Sequence, residues 1–248
     1  WGRKFPMLIA SRGFGKSFIL SVYAILRALL MPGRKIIIVG AAFRQSKILF
    51  EYMSTIWQNA PLLRDVVGGD GGPRSSVDMC RMIIGKSTVT CLPLGDGSKI
   101  RGQRANDIIA DEFASIPREI FENVVAGFAA VSSSPIENVK RIASEKKSTE
   151  LTGKVNKENL LQTEESNQII LSGTAYYEFN HFAQYWKKWK SIISSKGDPK
   201  KLIEIFGGEK IPNGFDWRQY SIIRIPFELL PDGFMDDAQV ARSRATVH

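Results

Sequence analysis

The stretch FPMLIASRGFGKSFIL, residues 5–20, decides how this chain is read. It runs from an apolar segment, KFPMLIA (4–10), through a loop at 11–17 into KSFILSVYAILRALL (16–30), which is apolar almost all round. The first predicts a buried strand and the second a buried helix. Between them Gly15, Lys16 and Ser17 complete the phosphate-binding pattern G-x-x-x-x-G-K-[ST], although its leading position holds Ala10. Strand, loop and helix in that order are what the pattern requires. Backbone N–H groups at a helix start cradle an anion. Lys16 then reaches the outer phosphates of ATP, and Ser17 helps to hold Mg²⁺. Ala is the next smallest residue at the turn leaving the strand, and Gly13 and Gly15 keep the loop adaptable where backbone meets phosphate. Ser11 and Arg12 lie in the same loop and are candidate nucleotide contacts. A second GKS, at 85–87, sits in a predicted hairpin with no helix after it and is set aside.

A second stretch gives the first its chemistry. NDIIADE (106–112) is an apolar strand that ends in Asp111 and Glu112, about 95 residues beyond the loop. A carboxylate at such a strand end binds Mg²⁺ directly or through water. The residue after it is placed to polarise a water for attack on a γ-phosphate. Positive charge against that transition state has three candidate sources: Arg12 in the loop, and Arg101 and Arg104 in KIRGQRAND just before the acidic strand. LSGTA (171–175) is a strand end with small and hydroxyl residues, placed to sense the γ-phosphate.

The remaining segments predict an α/β fold with a largely parallel sheet flanked by helices. KIIIVGA (35–41) and NQIILSGTA (167–175) read as buried strands and YSIIRIPFEL (220–229) as a last one. SKILFEYMSTIW (46–57) reads as an amphipathic helix capped by Ser46, and PREIFENVVAGFAAV (117–131) as a helix with Pro117 in its first turn. GGDGGP (68–73) reads as a flexible loop, and Pro6 predicts that pairing in the first strand begins after it. Cys80 and Cys91 flank a hairpin turning at Gly85-Lys86 and read as small buried residues. Two cysteines exclude a disulfide scaffold. Residues 143–168 lack aromatics and strong periodicity, and read as an exposed insertion. In FNHFAQYWKKWKSII (179–193), Phe182, Trp186, Trp189 and Ile193 recur at helical spacing. They favour a buried face with Lys187, Lys188 and Lys190 in solvent over a nucleic-acid platform. His181 and His248 have no metal-ligand companions and receive no role. The longest apolar run, about thirteen residues including Arg27, is too short to span a bilayer, so no membrane partner is expected. A net charge of +9 points to an acidic partner, nucleic acid first.

Taken together, SRGFGKS with its non-glycine front, IRG ahead of DIIADE, and SGTAYYEFNHF resemble the large terminase subunit of tailed bacteriophages across residues 5–185. The resemblance implies a P-loop NTPase fold of the ASCE type and a Mg²⁺-dependent ATPase that drives double-stranded DNA into a procapsid. It implies that Lys16 and Ser17 bind phosphate and Mg²⁺, that Asp111 coordinates Mg²⁺, and that Glu112 activates the water. Ser172, Gly173 and Thr174 match the family's coupling motif. Arg12 matches its loop arginine, and Arg101 a position used as a finger into the neighbouring subunit; which of the two is decisive stays open. Implied partners are double-stranded DNA, a portal protein, a small terminase subunit and further copies in a ring, commonly of five, in the host cytoplasm. On this reading residues 1–230 form the motor domain with an insertion near 140–168, and 231–248 a lid or linker. The chain opens on Trp1, which suggests a fragment. It starts too late to hold the family's whole adenine-contacting segment and stops before any RNase H-type nuclease domain, so no DNA cleavage is expected of it. The competing readings are a helicase-like or repair ATPase, which needs helicase motifs and usually a second lobe, and a weak nucleotide-binding scaffold, which would have lost one of the four key residues. A small-molecule kinase has no need of the arginine before the acidic pair.

Overall fold

Four segments are apolar at nearly every position, whichever face that position points to, and these become the interior of the sheet. They are β1 (Phe5–Ala10), β2 (Lys35–Gly40), β6 (Asp107–Ala110) and β7 (Gln168–Gly173). Such runs are stable only between two covering layers, which is the setting of parallel strands. The computed structural model describes residues 2–76, 79–93, 105–122, 167–174 and 179–231, with single residues and short pieces beyond. Its sheet has eight strands in the order β3-β4-β5-β2-β6-β7-β1-β8, where β3 is Gly72–Ser75, β4 Cys80–Ile84, β5 Ser87–Pro93 and β8 Tyr220–Ile225. Pairing is antiparallel for β3–β4 and β4–β5 and parallel elsewhere. The phosphate-loop strand β1 and the acid-bearing strand β6 are not neighbours, because β7 runs between them.

Alternate residues of these strands feed two cores. Leu8, Ile36, Ile38, Ile109 and Ile170 face a layer that includes Leu20, Ala24, Leu49 and Met53 from α1 (Lys16–Leu30) and α2 (Phe43–Asn59). Met7, Ile9, Ile37, Val39, Ile108 and Leu171 face Phe113, Phe121, Phe182 and Trp189, the last two from α5 (His181–Ser195). In register, Ala110 lies beside Leu171 and Ile9 beside Gly173, so the parallel strands β1, β6 and β7 finish together at their carboxyl ends. The amino ends of these strands carry a buried polar cluster. Arg27 donates to Asp107 from Nε (2.9 Å) and Nη2 (3.1 Å), Arg34 Nη1 from 3.4 Å, and the Gln168 backbone N–H from 3.0 Å. This cluster pins the last turn of α1 to the starts of β2, β6 and β7. No helix among the described residues is long and apolar enough to cross a membrane.

Several local expectations need correction. Helix α2 begins at Phe43, not Ser46. The Gln45 side chain reaches back to the Ala42 N–H (3.3 Å), and Ser46 sits one turn inside, its hydroxyl donating to the carbonyls of Phe43 (3.0 Å) and Leu92 (3.4 Å). The presumed loop at 68–73 runs into β3 at Gly72, since an edge strand tolerates glycine and proline. Pro6 pairs with Ser221 on the β8 side, whereas the pairing with β7 does start after it, at Met7. The structure adds two short helices, α3 (Pro61–Val67) and α6 (Pro199–Ile205), the latter capped by Asp198. Of the helix expected at 117–131 the described part is one turn, α4 (Arg118–Ile120); residues 123–131 and the insertion at 143–166 lie outside the described residues. The hairpin at 80–93 is as expected, with Cys80 opposite Cys91, both free and fully buried. On α5, Phe182 and Trp189 are buried and Lys187, Lys188 and Lys190 exposed.

Candidate nucleotide site

The loop between β1 and α1 is shaped by two left-handed glycines, Gly13 (φ 84) and Gly15 (φ 87). Nothing lies within 4 Å of where a Cβ on Gly15 would sit, so the backbone angle and not space calls for glycine there. The loop leaves the sheet with the Ser11 N–H still bonded to the Ile225 carbonyl (3.1 Å), and α1 starts at Lys16. Lys16 therefore points back across the strand ends and is only 6% exposed. Its Nζ donates to Thr174 Oγ1 at 3.0 Å and stands 3.9 Å from Glu112 Oε1. Ser17 Oγ donates to Asp111 Oδ2 at 3.1 Å. Side chains from the ends of β1, β6 and β7 thus converge although the sequence holds them far apart.

The polar groups here are incompletely satisfied. Asp111 is 2% exposed and its Oδ1 has no hydrogen-bond partner. Burial raises its pKa, opposed by the Ser17 hydroxyl. Ser172 Oγ, on the neighbouring strand end and next to Asp111, and Ser11 Oγ are likewise buried with no partner within hydrogen-bond distance. Buried polar atoms without a partner are uncommon and call for a water, an ion or a ligand beside them. A hydroxyl beside a carboxylate with a spare oxygen fits Mg²⁺, which takes one or two protein oxygens together with substrate phosphates.

Glu112 has φ 47 and ψ 48, a left-handed conformation unusual for a non-glycine residue. Its carboxylate is held out of the core, with the side chain 38% exposed. Gly173 is bare because a Cβ there would come within 2.8 Å of the Phe182 ring. Arg12 is exposed on the loop; Arg101 and Arg104 lie outside the described residues. Two residues given no role from sequence stand close by. Asn180 caps α5 by accepting from the Phe182 N–H (2.8 Å) and donates to the Ala114 carbonyl (3.0 Å); His181 Nε2 lies 3.1 Å from the Phe113 carbonyl. The asparagine before a helical pattern was the available signal for the first. Nothing local signalled the second.

No curated protein matches the sequence. Among solved structures, the large terminase of a thermophilic bacteriophage aligns with a TM-score of 0.57 at 9% identity, over 99% of this chain and 45% of that one. The HK97 bacteriophage large terminase gives 0.56 at 12% identity, over 99% and 44%. The thermophilic phage's terminase in complex with ATP-gamma-S gives 0.50 at 12%, over 98% and 44%. At these identities the likeness is one of fold, and the chain spans less than half the length of these proteins. A family model described as the terminase large subunit, T4likevirus-type, N-terminal, matches residues 7–139, more than half of the chain. The chain therefore belongs to the large terminase subunits, by their N-terminal region.

Proposed function

We propose that this chain is the ATP-hydrolysing motor of a DNA-packaging terminase, which couples hydrolysis to movement of double-stranded DNA into a procapsid in the infected cell. The observation that carries the reading is the convergence of Lys16, Ser17, Asp111, Glu112 and Thr174 at the carboxyl ends of the strands, in a member of this family. Lys16 neutralises charge on the β- and γ-phosphate oxygens while the loop N–H groups fix them. Ser17 and Asp111 would hold Mg²⁺, with Oδ1 of Asp111 as the spare oxygen. A divalent cation held there would supply positive charge to offset the charge that develops on the phosphate oxygens. Glu112 orients a water and takes its proton as the oxygen attacks the γ-phosphorus. The bond to the bridging oxygen breaks, and ADP and phosphate leave. Arg12 from the loop, or Arg101 from a neighbouring subunit, supplies positive charge to the transferring group. Ser172, Gly173 and Thr174 respond to the γ-phosphate through the Lys16–Thr174 contact. A portal protein, a small terminase subunit and a ring of copies complete the motor, and the net charge of +9 suits contact with DNA.

The test is calorimetric titration with Mg²⁺ and a non-hydrolysable ATP analogue, comparing the chain with Lys16→Ala. Binding that disappears in the variant supports the site. Equal binding in both overturns it.

A further inference from the structure

The backbone of Glu112 has to be held in place. A left-handed conformation is strained for a non-glycine residue and persists only where its surroundings over-determine it. Part of the hold is local: the Ser115 N–H closes a turn on the Glu112 carbonyl (2.8 Å), and the Ile116 N–H follows onto Phe113 (3.1 Å). The Phe113 ring anchors that turn edge-on against Phe121, His181, Phe182 and Tyr185, at 4.6, 4.9, 5.6 and 5.3 Å between centroids. The rest comes from the start of α5. Asn180 Nδ2 donates to the Ala114 carbonyl at 3.0 Å. His181 Nε2, 3.1 Å from the Phe113 carbonyl, must carry the hydrogen, because a carbonyl only accepts. Two successive carbonyls directly after Glu112 are therefore gripped by two successive side chains.

The gripping segment is also joined to the other side of the site. Thr174, which receives the Lys16 hydrogen bond, is six residues before Asn180 in the chain. Gly173 packs directly under the Phe182 ring, one residue beyond His181. The strand end that touches Lys16 and the turn that aims Glu112 thus share one support.

We propose that Asn180 and His181 are positioning residues for Glu112. Their hydrogen bonds to the Ala114 and Phe113 carbonyls hold the glutamate in its left-handed conformation and tie its aim to the strand end carrying Thr174. The inference rests on the reading of Glu112 as the hydrolytic base.

Asn180→Asp separates positioning from folding. An aspartate keeps the oxygen that caps α5 at the Phe182 N–H and replaces the donor to Ala114 with a carboxylate oxygen that repels that carbonyl. In the large subunit within its packaging assembly, kcat for ATP falls about tenfold while KM holds, the size expected when a catalytic base loses its alignment. Amide hydrogen exchange at Ser115 and Ile116 rises by a similar factor with the melting temperature unchanged. Should the aspartate destabilise the fold, Asn180→Ser keeps a capping oxygen too short to reach Ala114 and carries the same expectation. Wild-type kcat in these variants overturns the positioning role, whether or not the turn exchanges faster. Glu112→Gln is the control: if it retains wild-type turnover, the base assignment fails and this inference with it. If it is inactive while the Asn180 variants turn over normally, only the positioning role fails.

Discussion

Asp107 and Asp111 stand at the two ends of β6 and are equally buried, at 1% and 2% exposure. Their surroundings differ. Asp107 receives hydrogen bonds from Arg27, Arg34 and the Gln168 backbone. Asp111 receives a hydrogen bond from Ser17 on Oδ2, with the Glu112 N–H and the Ser172 hydroxyl nearby, and its Oδ1 has no partner within hydrogen-bond distance. The first carboxylate is used up by the fold, and the second has bonding capacity left over. Burial alone does not separate a structural acid from a functional one; the count of donors does.

The largest expected effect breaks the closed end. Asp107→Ala takes from two buried guanidinium groups the carboxylate they share and should cost about 3–5 kcal/mol of stability in a denaturant titration. A loss below about 1 kcal/mol would mean that the cluster is hydrated and the contrast with Asp111 is one of degree. At the open end the sign reverses. Asp111→Asn removes a charge that burial disfavours, so the melting temperature should hold or rise slightly. Binding of a Mg²⁺–ATP analogue should weaken at least tenfold, about 1.4 kcal/mol or more. Lower stability with unchanged binding would make Asp111 a second structural acid. Between these lies Gly15→Ala. With φ at 87 and open space around the added methyl, it should cost about 1–2 kcal/mol through backbone strain alone. That strain falls on the loop and should appear in both melting temperature and nucleotide affinity.

The open end was legible in the sequence and the closed end was not. Lys16, Ser17, Asp111 and Glu112 sit in short patterns whose local order places them at strand ends that the structure brings together, and continuous apolar runs identify strands covered on both faces. Arg27 and Arg34 carry no such pattern. Arg27 is a single charge in an apolar helix, and its partner is eighty residues away in sequence. The insertion of β7 between β1 and β6 was equally silent, because strand order is fixed by tertiary pairing. Ser46 misled for a physical reason: serine is both a good helix cap and a residue that can bond back to its own helix, and here it does the second. The grip of Asn180 and His181 on the turn after Glu112 joins segments that no spacing rule connects.

The smallest effect sharpens the comparison most. Ser11 Oγ is buried without a hydrogen-bond partner where the chain leaves β1 for the loop. Replacing an unsatisfied buried hydroxyl by a methyl group removes a desolvation penalty and no bond, so Ser11→Ala should leave stability within about 0.5 kcal/mol of wild type or raise it. A hydroxyl that serves the nucleotide shows itself instead as a loss of affinity for the ATP analogue of about threefold to tenfold, the worth of one ordinary hydrogen bond. Reduced stability at unchanged affinity would show that the hydroxyl is spent on the fold after all. The open end would then begin beyond Ser11, with the glycines and Lys16.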